Sequence, residues 1–252
     1  MNRSAVAVVG LFFSGMASAG GSPSGPILPH FDLNNFHAPL RIDNWLSPMP
    51  VGRHAIFHEL EDGECKVNDV VVTDATKQDF VGDYAGLSAR PVTDQVWADP
   101  QCNGERGLLL EDTTDWYGQD DRGNVWYFGE DTTEYTYDGN GNPTGSSKEG
   151  SWEAGRMNAK AGIVMLAKPI PGAFYRQEFQ LGVAEDNARV DRVDVVVATG
   201  LGRFRGCTVT RETTPLSPGD VEFKSYCPNL GLVLVKSPTV NGGAVAVDLG
   251  LH

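Results

Sequence analysis

Glu111-Asp112-Thr113-Thr114-Asp115-Trp116-Tyr117-Gly118-Gln119-Asp120-Asp121-Arg122-Gly123-Asn124-Val125-Trp126-Tyr127-Phe128-Gly129-Glu130-Asp131 is the stretch on which the fold turns. Two runs rich in Thr, Val, Trp, Tyr and Phe flank Asp121-Arg122-Gly123-Asn124, a hairpin-turn composition. With Arg122 and Gly123 at the centre of that turn, Asp115 faces Glu130, Tyr117 faces Phe128, and Gln119 faces Trp126. A second turn at Asn140-Gly141 then sets Glu130 against Ser151 and Phe128 against Glu153. On this register Asp115, Glu130 and Glu153 converge on one face beside Tyr117, Trp126 and Phe128.

Like charges directly across a sheet destabilise it unless something compensates. A cation, a basic side chain such as Arg176, or a carboxyl kept protonated by a raised pKa would each do so. Such a face suits a small ligand or cation held between aromatic walls, or acid/base chemistry. The alternative is a solvent-facing surface whose charges merely hydrate. One extra bulge residue would scatter the set over both faces.

Outward from this hairpin the same texture continues. Further strands are expected at 54–60, 67–73, 95–98, 107–119, 124–137, 146–153, 173–181, 190–198, 203–213, 221–227, 230–236 and 244–249, divided by Gly, Pro, Asn and Asp. Helical evidence is confined to short turns near 76–84 and 182–189. The expected fold class is therefore all-β: an antiparallel barrel, half-barrel or sandwich with one or two short helical turns. Residues 51–252 form one such domain, because no linker or composition break divides them. Residues 20–50 are an extended lead-in that packs through Phe31, Phe36, Leu40 and Trp45.

Residues 1–19 have the three parts of a secretory signal peptide. Arg3 provides the positive charge, Ala5 to Phe13 a short apolar core, and Ala17-Ser18-Ala19 the small residues read by a signal peptidase. The apolar run is about half the ~20 residues a spanning helix needs, so no membrane anchor is implied. The location expected is periplasmic or extracellular. With 33 acidic residues against 20 basic ones the net charge is −13, which argues against nucleic acid or an anionic membrane as partner.

Four cysteines in an exported chain imply disulfides. If Glu212 faces Glu222 in the hairpin broken at Pro215, Pro218 and Gly219, Cys207 lies directly opposite Cys227, within reach of a bridge. Cys65 and Cys102, both in turn-rich segments, are left to pair with each other.

Tyr175-Arg176-Gln177-Glu178-Phe179 forms a second patch, in which Arg176 and Glu178 share a strand face. They complement the acidic cluster or make an edge ion pair. His54 and His58 are the one histidine pair with ligand-like spacing, and no zinc-enzyme frame surrounds them. No nucleophile elbow, P-loop or EF-hand loop is present, and the sequence leaves any cofactor unknown. Tyr135-Thr136-Tyr137-Asp138-Gly139-Asn140-Gly141-Asn142 resembles a YD-repeat unit but occurs once, and a hairpin turn accounts for it.

The segments Asp115-Trp116-Tyr117, Asn124-Val125-Trp126-Tyr127-Phe128-Gly129-Glu130, Gly150-Ser151-Trp152-Glu153-Ala154-Gly155, Tyr175-Arg176-Gln177-Glu178-Phe179 and Ala184-Glu185-Asp186 resemble a family of exported bacterial proteins of unknown function. The likeness spans mainly residues 110–190, with a weaker match at 226–235. It implies export and a β-rich fold, and no reaction. Three functions stay open: a binding protein with Asp115, Tyr117, Trp126, Phe128, Glu130, Glu153, Arg176 and Glu178 around its ligand, a carboxylate-dependent or metal-assisted enzyme, and a structural module without a site.

Overall fold

The computed structural model describes residues 25–250, so the signal peptide read at 1–19 lies outside the described residues. Fifteen strands follow in chain order: β1 (His54–Glu61), β2 (Glu64–Val72), β3 (Arg90–Ala98), β4 (Leu109–Gln119) and β5 (Val125–Tyr137). Next come β6 (Pro143–Ser147), β7 (Trp152–Glu153), β8 (Lys160–Met165), β9 (Phe174–Arg176) and β10 (Glu178–Phe179). The last are β11 (Asn187–Thr199), β12 (Gly202–Thr213), β13 (Glu222–Cys227), β14 (Gly231–Lys236) and β15 (Gly243–Asp248).

They make one antiparallel sheet in the order β10-β8-β5-β4-β3-β2-β1-β15-β14-β13-β12-β11-β9, with β6 and β7 added on β5. Its two terminal strands are successive pieces of chain, since β9 ends at Arg176 and β10 begins at Glu178. Gln177 is the corner between them, and the sheet becomes a nearly closed barrel. Gly162 on β8 makes the corner sterically possible: a Cβ there would lie 2.4 Å from the Gln177 carbonyl carbon and 2.5 Å from the Arg176 oxygen.

The β4–β5 hairpin shows how local chemistry sets register. Gly123 adopts φ +90°, and the loop closes with Asp120 N–H to Asn124 O at 3.0 Å and Gly123 N–H to Asp120 O at 2.9 Å. This three-residue loop with a left-handed glycine replaces the expected two-residue turn. Near the turn Tyr117 therefore faces Tyr127 and Gly118 faces Trp126, not the expected Tyr117–Phe128 and Gln119–Trp126 pairs. An irregularity between Asp115 and Tyr117 restores the expected register beyond it, where Asp115 faces Glu130.

The expected strand 146–153 is split by a turn at Lys148, with Gly150 at φ +97°, into β6 and β7. Glu130 consequently faces Trp152, and Glu153 faces Gly129. The short helical turn expected within 76–84 is present as a 3-10 turn at Gly82–Tyr84. The one at 182–189 is not; the chain there makes a tight turn, with the Val183 N–H bonded to Gln180 O at 2.9 Å, and then enters β11. A further 3-10 turn, Leu33–Asn35, sits in the lead-in and is capped by Asp32 Oδ1 accepting the Asn34 N–H.

The lead-in closes one end of the barrel. Asn44 fastens it: Oδ1 accepts the Leu46 and Ser47 amides, Nδ2 donates to Gly123 O, and the Asn44 amide bonds Gln119 Oε1. This docking buries Ile42 and Leu46 against Val125 and Met165, with Tyr117 and Tyr226 packed on the same cluster. Each such aliphatic burial contributes roughly 2 kcal/mol. Trp45, expected to pack, is 44% exposed; its neighbours Asn44 and Leu46 take the buried positions. Outside the sheet wall, Phe31, Phe36, Phe80 and Tyr84 cover Trp126 and Phe128 in a continuous aromatic cluster.

Both expected disulfides are formed. Thr208–Tyr226 through Glu212–Glu222 pair in the anticipated register, and Cys207 bridges Cys227 with Cα atoms 4.2 Å apart. Cys65 bridges Cys102. The Asp99 carboxylate holds the second bridge's turn by accepting the Asn103 and Gly104 amides. Two formed bridges fit a location outside the reducing cytoplasm.

Candidate functional site

Alternation along the strands sends every second side chain into the barrel. Residues directly opposite one another share a face, so the pairings define inner rows. One row runs Val72, Val92, Asp115, Glu130, Trp152. The next runs Val70, Asp94, Thr113, Thr132, and the next Asn68, Val96, Glu111, Glu134. Across the barrel a further row is Tyr175, Ala188, Glu212, Glu222, followed by Val190, Thr210, Lys224, Val235. The interior is thus lined by carboxyls and tyrosines.

Asp115 is 7% exposed, and its Oδ1 accepts the Tyr127 hydroxyl at 2.6 Å. Burial pushes the Asp115 carboxyl up to about 7, against the lowering pull of the Tyr127 hydrogen bond. Burial, then Asp115, Glu178 and Glu111, hold Glu130 well above the ordinary carboxylate range. Asp94 is raised in the same way, by burial first and then by Asp115 and Glu111, although Asn68 Nδ2 donates to it. Among the described residues no basic side chain lies within ion-pairing distance of Asp94, Asp115 or Glu130.

Tyr117 and Tyr127 stack at 4.9 Å, and Trp152 meets Tyr127 edge-on at 5.3 Å. Burial first, then the surrounding carboxyls, keep both tyrosines protonated far above their usual range.

A second group lies across the barrel and contains its own cation. Lys224 Nζ reaches Glu212 Oε2 at 2.9 Å and Glu222 Oε2 at 3.6 Å. Burial would lower this lysine, but Glu212 and Glu222 outweigh it and raise it. Ser237 Oγ donates to Glu222 Oε1 at 2.9 Å. Burial lifts Asp186 to about 7 despite Lys224, and lifts Glu178 well above its usual range with help from Asp186. At the end of the barrel opposite the lead-in, Lys66 Nζ bonds Glu61 Oε2 at 2.5 Å. Glu59, 8% exposed, is lifted to about 8 chiefly by burial.

Asp115, Tyr117, Glu130 and Glu178 of the expected set line this interior. Trp126 and Phe128 do not; the added loop residue turns them to the outer face under Phe31 and Phe36. Glu153 is also outside, displaced by the one-residue slip at β7, where Lys77 at 3.1 Å and Arg156 at 2.6 Å neutralise it. Arg176 is not the counter-charge of Asp115 and Glu130. It lies 3.8 Å from Glu185 and over the Phe179 ring at 4.6 Å. His54 bonds Asp69, and the His58 ring lies against Gly104. Among the described residues no three His, Cys, Asp or Glu side chains gather as a metal-ligand set.

Sequence reasoning missed Glu59, Asp94, Glu111, Tyr127, Trp152, Tyr175, Asp186 and the Glu212–Lys224–Glu222 group. Their signal is present as alternation, in Glu111-x-Thr113-x-Asp115, Glu130-x-Thr132-x-Glu134 and Glu222-x-Lys224-x-Tyr226. Such runs read as solvent faces because polar alternation is normally outward.

No family model matches this chain, and no curated protein matches it. Two solved structures are similar. One is a Bacteroides fragilis protein named for export and a YmcC-like fold, 13% identical, with 81% of this chain and 97% of that chain covered and a TM-score of 0.41. The other is a Parabacteroides distasonis protein named as a lipoprotein, 11% identical, with 82% and 98% covered and a TM-score of 0.37.

Proposed function

We propose that this exported β-barrel binds a small organic cation inside the barrel, between the Asp115–Glu130 pair and the Tyr117–Tyr127 stack. The observation that carries the reading is the direct opposition of the buried Asp115 carboxyl and the half-buried Glu130 carboxyl, with no basic side chain in ion-pairing distance among the described residues. Opposed carboxyls are unfavourable when both are ionised, so the pair gains most from an ammonium group. Stacked tyrosine rings add an electron-rich surface for the same charge.

Calorimetric titration with n-butylamine, tetramethylammonium, calcium and magnesium tests the proposal. A saturable site for an amine, lost in Asp115→Asn, is the expected result. Metal binding that leaves amines unbound would overturn it, as would no binding of any of the four.

A further inference from the structure

The barrel interior is acidic along its middle and basic at the end that the lead-in closes. Two arginines stand at that end. Arg53 precedes β1, and its Nη atoms donate to Pro48 O in the lead-in and to Leu230 O. Arg90 opens β3, is 8% exposed, and faces Tyr117 on β4. Tyr117 in turn packs with the lead-in residues Ile42 and Leu46. Both guanidinium groups are held by backbone carbonyls, and among the described residues neither forms an ion pair with a carboxylate.

Arg90 is the one with unused capacity. Its Nη1 donates to Ala75 O at 2.8 Å and to Thr73 O at 3.3 Å, which ties down the chain after β2. Its Nε, by contrast, is buried without a hydrogen-bond partner. That atom belongs to the guanidinium edge that clasps a carboxylate side-on with two parallel bonds. A buried charged donor without an acceptor is unfavourable, and an anion is the acceptor that suits it best.

The position of this edge relates it to the Asp115–Glu130 pair. Arg90 lies two residues from Val92, and Val92 faces Asp115, so the two rows are about 7 Å apart along the strands. Tyr117 lies between them, stacked at 4.9 Å on Tyr127, whose hydroxyl bonds Asp115.

We infer that the barrel takes a zwitterion, a short-chain amino acid with its ammonium at Asp115 and Glu130, its carboxylate on the Nε edge of Arg90, and its carbon chain against the Tyr117 ring. This rests on the cation-binding reading above and names the other half of the ligand. A plain amine leaves the Arg90 Nε unpaired, and a plain carboxylate leaves the opposed acids uncompensated. One molecule carrying both groups serves both, and joining two sites through one ligand raises affinity.

Titration calorimetry with n-butylamine, 5-aminopentanoate and 1,4-diaminobutane at constant pH and ionic strength is the test. The second compound is n-butylamine with a carboxylate added at its far end; the third puts a second cation there instead. The amino acid should bind at least about tenfold more tightly than n-butylamine, and the diamine no more tightly. Arg90→Lys keeps the charge and loses the flat edge, so it should reduce the ratio of amino acid to amine affinity to below about threefold. The exposed Arg203→Lys should leave that ratio as it is. A wild-type measurement stands beside the variants: in nitrogen-edited NMR spectra one arginine Nε–H resonance should move with 5-aminopentanoate and stay in place with n-butylamine. Equal affinities for amine and amino acid, an unchanged ratio in folded Arg90→Lys, or no arginine resonance that responds would overturn the zwitterion assignment while leaving the cation site standing. Failure of all three compounds to bind would overturn both.

Discussion

Asp115 on β4 and Glu130 on β5 are direct cross-strand partners on the inner face of the barrel, and the Tyr127 hydroxyl bonds the first of them at 2.6 Å. A polar interior of this kind inverts the usual relation between burial and charge.

Stability should fall as pH rises. An acid whose folded-state pKa is raised binds its proton more tightly in the folded than in the unfolded chain, so its contribution is complete below about 4. That contribution is lost as pH passes through about 7 for Asp115 and Asp186 and about 8 for Glu59. Each such group is worth on the order of a few kcal/mol. Scanning calorimetry should show a melting temperature that decreases from pH 5 to pH 8.5. An unchanged or rising profile would contradict the protonated interior.

At pH 8.5, Asp115→Asn should be more stable than the wild-type protein, because it removes a buried charge that faces Glu130. At pH 5 the two should melt nearly together. Urea unfolding at both pH values measures the difference directly.

Cation binding should strengthen with pH. An ammonium bound at Asp115 needs the carboxylate, and this group holds its proton up to about 7. Below that, affinity for n-butylamine should rise by up to about tenfold per pH unit, with one proton released on binding. Titrations in buffers of different ionisation enthalpy count the proton.

Gly162→Ala should open the barrel at its corner. The new methyl carbon would meet backbone atoms of Arg176 and Gln177, which move only with β9 and β10. A loss of roughly 1–3 kcal/mol is expected. Faster amide exchange at Glu178 and Phe179 than elsewhere in the sheet would locate it.

Removing the bridges should cost stability in proportion to the loops they close. The chain-entropy relation gives about 3 kcal/mol for the paired substitution Cys207→Ala with Cys227→Ala, and about 4 kcal/mol for Cys65→Ala with Cys102→Ala. These follow from separations of 20 and 37 residues. Urea midpoints of the two double variants rank them.

Register was legible where alternation ran unbroken. Thr208 to Glu212 and Glu222 to Tyr226 have no glycine or bulge between them, and Cys207 and Cys227 fall opposite as expected. Close to a turn it was not, because the left-handed Gly123 adds a loop residue that composition does not reveal. That one residue moved Trp126 and Phe128 to the outer face, and a second slip at Lys148 to Gly150 removed Glu153 from the cluster. Strand β8 was hidden because Ala161 and Gly162 lack the β-branched bulk that marks a strand. The inner lining was hidden for a different reason: carboxyls at every second position look like a wet surface until closure of the sheet puts them inside.

Gln177 gives the wall a seam. Two residue pairs, Glu178 with Ala161 and Phe179 with Lys160, fasten β10 to β8, while three pairs hold β9 to β11 on the other side of the corner. A belt comes undone at its buckle before its leather tears. A short stitched course in this one lies beside Glu178, so a gap at that buckle would bring its acidic lining to water.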